Sequence, residues 1–138
     1  MKDKILIAED HADLRTLMSD RLIAEGYDVV LAGDGQEALD KIRSEDPDVI
    51  LLDLMMPKID GYAVLETIRS SPSTPKWQPV IIISAKGEFQ DIKKGFTLKA
   101  DHYITKPWRM EDILEGIDKM LMLREIRKPQ SDPSSSQE

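Results

Sequence analysis

The sequence predicts an α/β fold, a five-stranded parallel sheet with helices on both faces. Three observations carry this expectation. Short apolar runs alternate with stretches whose apolar residues recur at helical spacing. One run, Val49-Ile50-Leu51-Leu52, is continuously apolar, the pattern of a strand buried on both faces. The runs also end alike: the first in Glu9-Asp10, the third in Asp53, the fourth in Ser84, while the fifth leads into Lys106-Pro107. Polar groups recurring at strand ends are expected where ligands bind at the carboxyl rim of an open α/β sheet.

The elements follow in order. The first strand covers residues 4–9, and Leu14, Leu17, Met18 and Leu22 then fall at helical spacing until Gly26 supplies a stop. Residues 27–32 form a second, more polar strand, suited to a sheet edge. Asp34 is placed to cap a short helix carrying Ala38, Leu39 and Ile42, which ends before Pro47. The third strand is 49–53, and a helix after Asp60-Gly61 uses Val64, Leu65 and Ile68. Three prolines make 70–79 a loop. The fourth strand is 80–84, followed by a helix with Phe89, Ile92 and Phe96, and the fifth strand lies near 102–105. A last helix from about Arg109 aligns Met110, Ile113, Leu114, Ile117 and Leu121. The domain is expected over 1–124. Residues 125–138 are too poor in apolar groups to pack and read as a polar disordered tail or the start of a linker.

A chain of 138 residues suits one domain. No apolar run approaches the ~20 residues needed to span a bilayer, and the opening residues carry no signal-peptide pattern. Without cysteine, disulfides and thiolate metal sites are excluded. These features fit a cytoplasmic protein with no membrane contact. The net charge of −7 argues against nucleic acid as a direct partner.

Alternating strands and helices joined by right-handed crossovers give a doubly wound, flavodoxin-like sheet in the order 2-1-3-4-5. In that order the first and third strands are neighbours, so Asp10 and Asp53 face each other at the switch point with Ser84 and Lys106 beyond. Carboxylates, a hydroxyl and a lysine on one rim read as a Mg²⁺-assisted phosphate site.

Glu9-Asp10, Asp53 in Asp-Leu-Met-Met-Pro-Lys-Ile-Asp-Gly, Ser84-Ala85 and Tyr103-Ile-Thr-Lys-Pro together resemble the response-regulator receiver domain of two-component signalling, from about residue 3 to residue 123. The resemblance implies a phosphorylation-activated switch in which Asp53 accepts a phosphoryl group from a histidine-kinase phosphohistidine. It implies Mg²⁺ held by Asp10, Asp53 and the Met55 carbonyl, with Glu9 reaching the metal through water. Lys106 and Ser84 complete the reacting set, Ser84 and Tyr103 form the switch pair, and the Lys106–Pro107 bond is a cis candidate. The implied partners are a sensor histidine kinase or phosphotransfer protein, and an output domain or protein at the surface of the fourth helix, fifth strand and last helix. Such a domain catalyses its own phosphorylation and dephosphorylation without being a conventional turnover enzyme. The physical chemistry agrees: carboxylates ~5 Å apart repel by roughly 3 kcal/mol per pair at an effective dielectric of 20. A hard dication relieves that repulsion and shields the nucleophile from an anionic phosphate.

Competing readings are a constitutive interaction module of the same fold and a haloacid-dehalogenase-like phosphatase. The latter needs a second acid where Met55 stands. Gly33-Asp34-Gly35-Gln36-Glu37-Ala38 also matches a dinucleotide-binding G-x-G-x-x-A, but it follows an edge strand, and Asp34 would set a negative charge beside a pyrophosphate. Four positions depart from patterns usual in receivers. Lys99 stands where a glycine is usual, Trp108 replaces a phenylalanine, and Gly116 and Asp118 stand where members fused to winged-helix DNA-binding domains usually carry basic residues in the last helix. His11 and His102 read as surface or loop residues, and the seven methionines as core filler apart from Met55, beside the proposed nucleophile.

Overall fold

The computed structural model describes residues 2–85 and 99–127. The elements are β1 (Lys4–Ala8), α1 (Ala12–Ala24), β2 (Asp28–Ala32), α2 (Gly35–Glu45), β3 (Val49–Asp53), α3 (Gly61–Ser70), β4 (Val80–Ser84), β5 (His102–Thr105) and α4 (Met110–Arg127). The helix expected around Phe89, Ile92 and Phe96 lies outside the described residues, so α4 is the C-terminal helix. All strand pairs are parallel, in the order β2-β1-β3-β4-β5.

Side-chain alternation along the strands divides the core in two. Leu6, Ile50, Leu52, Val80 and Ile82 point to the face covered by α2 and α3, where they meet Leu39, Ile42, Val64 and Leu65. Ile5, Ile7, Val49, Leu51, Ile81 and Ile83 point the other way, against Met18, Leu22, Ile113, Ile117 and Met120 of α1 and α4. Each large aliphatic so buried contributes about 1.5–3 kcal/mol. Two expectations shift. Leu17 is 54% exposed rather than core, because the inward face of α1 is set by Met18 and Leu22. The helix of α4 also continues through Glu125, Ile126 and Arg127, positions read from sequence as tail. Its last turn is tied back by Arg124, which pairs with Asp3 at 3.2 Å and Asp48 at 3.1 Å.

The caps explain the boundaries. Asp34 and Asp60 accept from the Glu37 and Ala63 amides at 2.8 and 2.9 Å, starting α2 and α3. Gly26, at φ 100°, ends α1 in a conformation that favours glycine. The proline-rich loop before β4 is held at its end by bonds made by Arg69 and by its own Gln78. Arg69 donates to the Gln78 and Lys99 carbonyls (2.9 and 3.1 Å) and to Asp101 (2.6 Å). Gln78, itself buried, donates to Asp46 and to the Pro47 carbonyl. Lys99 is left-handed at φ 70°, which costs a non-glycine residue roughly 1–2 kcal/mol. The Arg69 bond to its carbonyl helps hold it there.

Candidate functional site

The carboxyl rim collects its groups because adjacent parallel strands end together. Ala8 pairs with Leu52, Asp53 with Ile83, and Ser84 with Thr105, so Glu9-Asp10, Asp53, Ser84 and Lys106 all emerge on one side of the sheet. Asp53 is 2% exposed. Its Oδ1 accepts from the Met55 amide at 2.9 Å, and its Oδ2 accepts from Lys106 Nζ at 2.7 Å. Lys106 N–H donates to the Ser84 carbonyl, and the Lys106–Pro107 bond is cis. Ser84 is buried beside this group, whereas Met55 is 73% exposed at its edge. Tyr103 is half-buried on β5 opposite Ile82, packed against the core on the α2–α3 face.

Glu9 is fixed at almost every polar atom. Its N–H donates to the Ala32 carbonyl at 3.0 Å, and its Oε2 accepts from the His11 amide at 3.0 Å. Oε1 alone is buried without a hydrogen bond; Lys106 Nζ is 3.7 Å away. Burial pushes the Glu9 carboxyl up to about 7; the His11 amide opposes the rise, and the neighbouring Asp53 adds to it. Burial also works against the Lys106 ammonium, yet hydrogen bonding and attraction to Asp53, with Glu9 behind it, hold it above its ordinary value.

Glu9, Asp10 and Asp53 each offer an oxygen within 4.8 Å of the others. Oxygen-only donors, one of them an orphaned buried carboxylate oxygen, fit a hard divalent cation. His11 is placed as the N-cap of α1, its Nδ1 accepting from the Leu14 amide at 3.3 Å.

The G-x-G segment has a packing role. A Cβ on Gly35 would sit 1.7 Å from the Ile59 carbonyl oxygen, so its hydrogen lets the loop after Asp53 lie directly on the start of α2. Asp34, besides capping α2, pairs with Lys58 of that same loop at 3.3 Å. A Cβ on Gly61 would similarly stand 2.6 Å from the Asp53 carbonyl oxygen. Sequence reasoning missed these contacts, and it missed Arg15, whose Nη1 donates to the Glu9 carbonyl at 2.8 Å. A lone cation one turn into the helix after an acidic pair is the only signal that could have pointed to it. Asp118 accepts from the Tyr27 hydroxyl at 3.1 Å.

Comparison with known proteins agrees with this geometry. The family model described as response regulator receiver domain matches residues 5–118. Among curated proteins, the chain is 42% identical over 112 residues to a probable transcriptional regulator, ycf27, of Guillardia theta, covering 81% of this chain and 42% of that protein. It is 38% identical over 132 residues to the alkaline phosphatase synthesis transcriptional regulatory protein PhoP of Bacillus subtilis, covering 96% and 54%. The chain thus spans about half the length of the curated relatives it matches. Among solved structures, a CheY-like response regulator receiver domain protein from Methanospirillum hungatei superposes with a TM-score of 0.82 at 28% identity, covering 91% of this chain and 98% of that one. With the strand order, the acidic rim and the family match all in agreement, the chain belongs to the response regulator receiver domain family of two-component systems.

Proposed function

We propose that Asp53 is the phosphoryl acceptor of this receiver domain and that the modification switches the domain's surface. The observation that carries the reading is the state of Asp53: a carboxylate 2% exposed at a strand end, held by an amide on one oxygen and an ammonium on the other, with two further acids alongside. In the transfer, an Asp53 oxygen forms the new bond to phosphorus as the phosphorus–nitrogen bond of a phosphohistidine breaks, and the leaving imidazole keeps that electron pair. Lys106 offsets negative charge on the incoming group, and the Met55 amide holds the carboxylate in one orientation. Positioning and charge neutralisation of this kind supply most of the catalysis of phosphoryl transfer. Mg²⁺, held by Asp10, Asp53 and the Met55 carbonyl with Glu9 behind, would shield phosphate from carboxylate.

Once phosphorylated, Asp53 presents new acceptor oxygens beside β4. The Ser84 hydroxyl donates to one of them, and Tyr103 turns toward the space that this movement opens. The two packings differ in population, biased by one covalent charge. The readout surface is β5, α4 and the helix expected between β4 and β5, where an output domain or protein binds. The donor is a sensor histidine kinase or phosphotransfer protein. An apolar groove lined by Leu14, Leu17, Ala85, Pro107 and Trp108 opens beside Lys106, next to the site that receives the phosphoryl group. The net charge of −7 suits protein partners better than direct contact with nucleic acid. Among the described residues, no helix is long and apolar enough to cross a membrane.

The test is intact mass after incubation with acetyl phosphate, with and without Mg²⁺, on wild type and Asp53→Asn. A Mg²⁺-dependent gain of one phosphoryl group, absent in the variant, is expected. No adduct on wild type, with rapid hydrolysis excluded, would favour a constitutive interaction module instead.

A further inference from the structure

We propose that Arg15 is a positioning residue for the divalent-cation site, holding the Glu9-Asp10 backbone in the arrangement that receives the metal. This rests on the reading of the acidic rim as a Mg²⁺ site. Arg15 lies one turn into α1, and its side chain turns back to the rim, where Nη1 donates to the Glu9 carbonyl at 2.8 Å. The guanidinium is seated on the loop between β2 and α2. A Cβ on Gly33 would stand 3.2 Å from Nη1 and 3.7 Å from Cζ, so that glycine makes room for it. The seat is itself fixed, since the Gly33 amide donates to Glu37 Oε1 at 2.8 Å. Arg15 therefore packs beside the second rim loop and bonds the first where its acids begin.

The consequence for Glu9 is close to complete immobilisation. The Ala32 carbonyl takes its N–H, Arg15 holds its carbonyl, and the His11 amide holds Oε2. What remains is Oε1, buried and without a hydrogen bond. A site of three acids repels itself when empty, and its loops would otherwise spread to relieve that repulsion. The bond from Arg15 of α1 to the Glu9 carbonyl, with the guanidinium packed beside Gly33, opposes the spreading. Binding then costs less reorganisation, as it does when partners outside a metal's own ligands orient them.

The charge of Arg15 acts in the opposite direction, because a guanidinium beside the site repels a dication. Arg15 is half-exposed and water screens it, whereas a hydrogen bond to a fixed carbonyl acts only through contact. Positioning therefore outweighs repulsion, which fixes the sign of the effect.

The experiment is calorimetric titration of the full chain with MgCl₂ alone, on wild type, Arg15→Met and Arg15→Lys. Arg15→Met keeps the apolar stem and removes every donor, and Arg15→Lys restores one. Far-UV circular dichroism and a urea melt establish that each is folded. Arg15→Met is expected to weaken Mg²⁺ binding about tenfold, the usual scale for such supporting groups, with Arg15→Lys recovering much of the loss. Unchanged or tighter Mg²⁺ binding by folded Arg15→Met would overturn the proposal, tightening being the mark of a purely electrostatic role. Should Arg15→Met fail to fold, weakened Mg²⁺ binding by folded Gly33→Ala, whose new Cβ crowds the guanidinium, supports the proposal, and wild-type affinity in that variant overturns it. Absence of Mg²⁺ binding by wild type would instead strike the reading of the rim as a metal site.

Discussion

Replacing Lys106 with methionine should make the stability of this domain depend steeply on Mg²⁺. Lys106 Nζ lies 2.7 Å from Asp53 Oδ2 and 3.7 Å from Glu9 Oε1. At an effective dielectric of 20, the Asp53 separation corresponds to an attraction of about 6 kcal/mol, and Glu9, whose carboxyl is raised to about 7, adds less. Asp53 and Glu9 are each 2% exposed, so neither can turn to water when the ammonium is gone. Against this stands the hydration that Lys106 gives up on folding, and its side chain keeps 25% of its exposure. Removing one partner of a buried pair costs 3–5 kcal/mol in general, and partial exposure lowers the expectation here to about 2–3 kcal/mol. A dication in the same pocket supplies the missing positive charge. At a concentration 100 times its dissociation constant it adds about 2.7 kcal/mol to the folded state. The assay is urea denaturation of wild type and Lys106→Met in EDTA and in saturating Mg²⁺. A deficit of about 2–3 kcal/mol in EDTA that shrinks with Mg²⁺ is expected. Equal stability of the two proteins in EDTA would refute the argument that Lys106 is the counter-charge of this pocket.

Three further outcomes follow from particular contacts. Met55 is 73% exposed at the mouth of the site, where its apolar side chain should hinder an attacking water. Met55→Asn is expected to shorten the phosphoryl lifetime several-fold, read by loss of the phosphoprotein mass with time. Gly116→Ala should gain ~1 kcal/mol of helix propensity. Its new Cβ, however, would stand 3.0 Å from His102 Cδ2, so thermal denaturation should show little or no net stabilisation. Burial alone would raise the Asp48 carboxyl, but the Lys4 amide, Lys76 and Arg124 together hold it below its ordinary value. Its contribution is therefore present above the unfolded value of about 3.9 and lost as pH falls through the lower folded one. Asp48→Asn should destabilise by about 2 kcal/mol at pH 7 and by less toward pH 3, measured by urea denaturation across that range.

Much of the fold was legible because sheet burial is written in local spacing. Val49–Asp53 and Val80–Ser84 are buried along their whole length, as continuous apolar runs between two layers of helix must be. Asp34, Asp60 and Gly26 mark helix ends through chemistry confined to one turn. Leu17 shows the limit: helical spacing places it near Met18 and Leu22, yet which stripe turns inward depends on where α4 packs. The G-x-G segment was ambiguous for the same reason, since the Ile59 carbonyl that requires Gly35 lies on a loop distant in sequence.

By itself, the sequence determined the α/β alternation, the strand-end positions of Glu9, Asp53, Ser84 and Lys106, and the family resemblance they carry. Periodicity and strand ends are properties of neighbouring residues, so they can be read along the chain. Only the tertiary structure decided that Asp53 is gripped by Met55 and Lys106, that Glu9 keeps a single orphaned oxygen, and that Arg15 bonds the Glu9 carbonyl beside Gly33. Each of those depends on where separate elements meet and at what distance. Hydrogen bonds and charge pairs change sharply within an ångström, a scale that linear spacing does not encode.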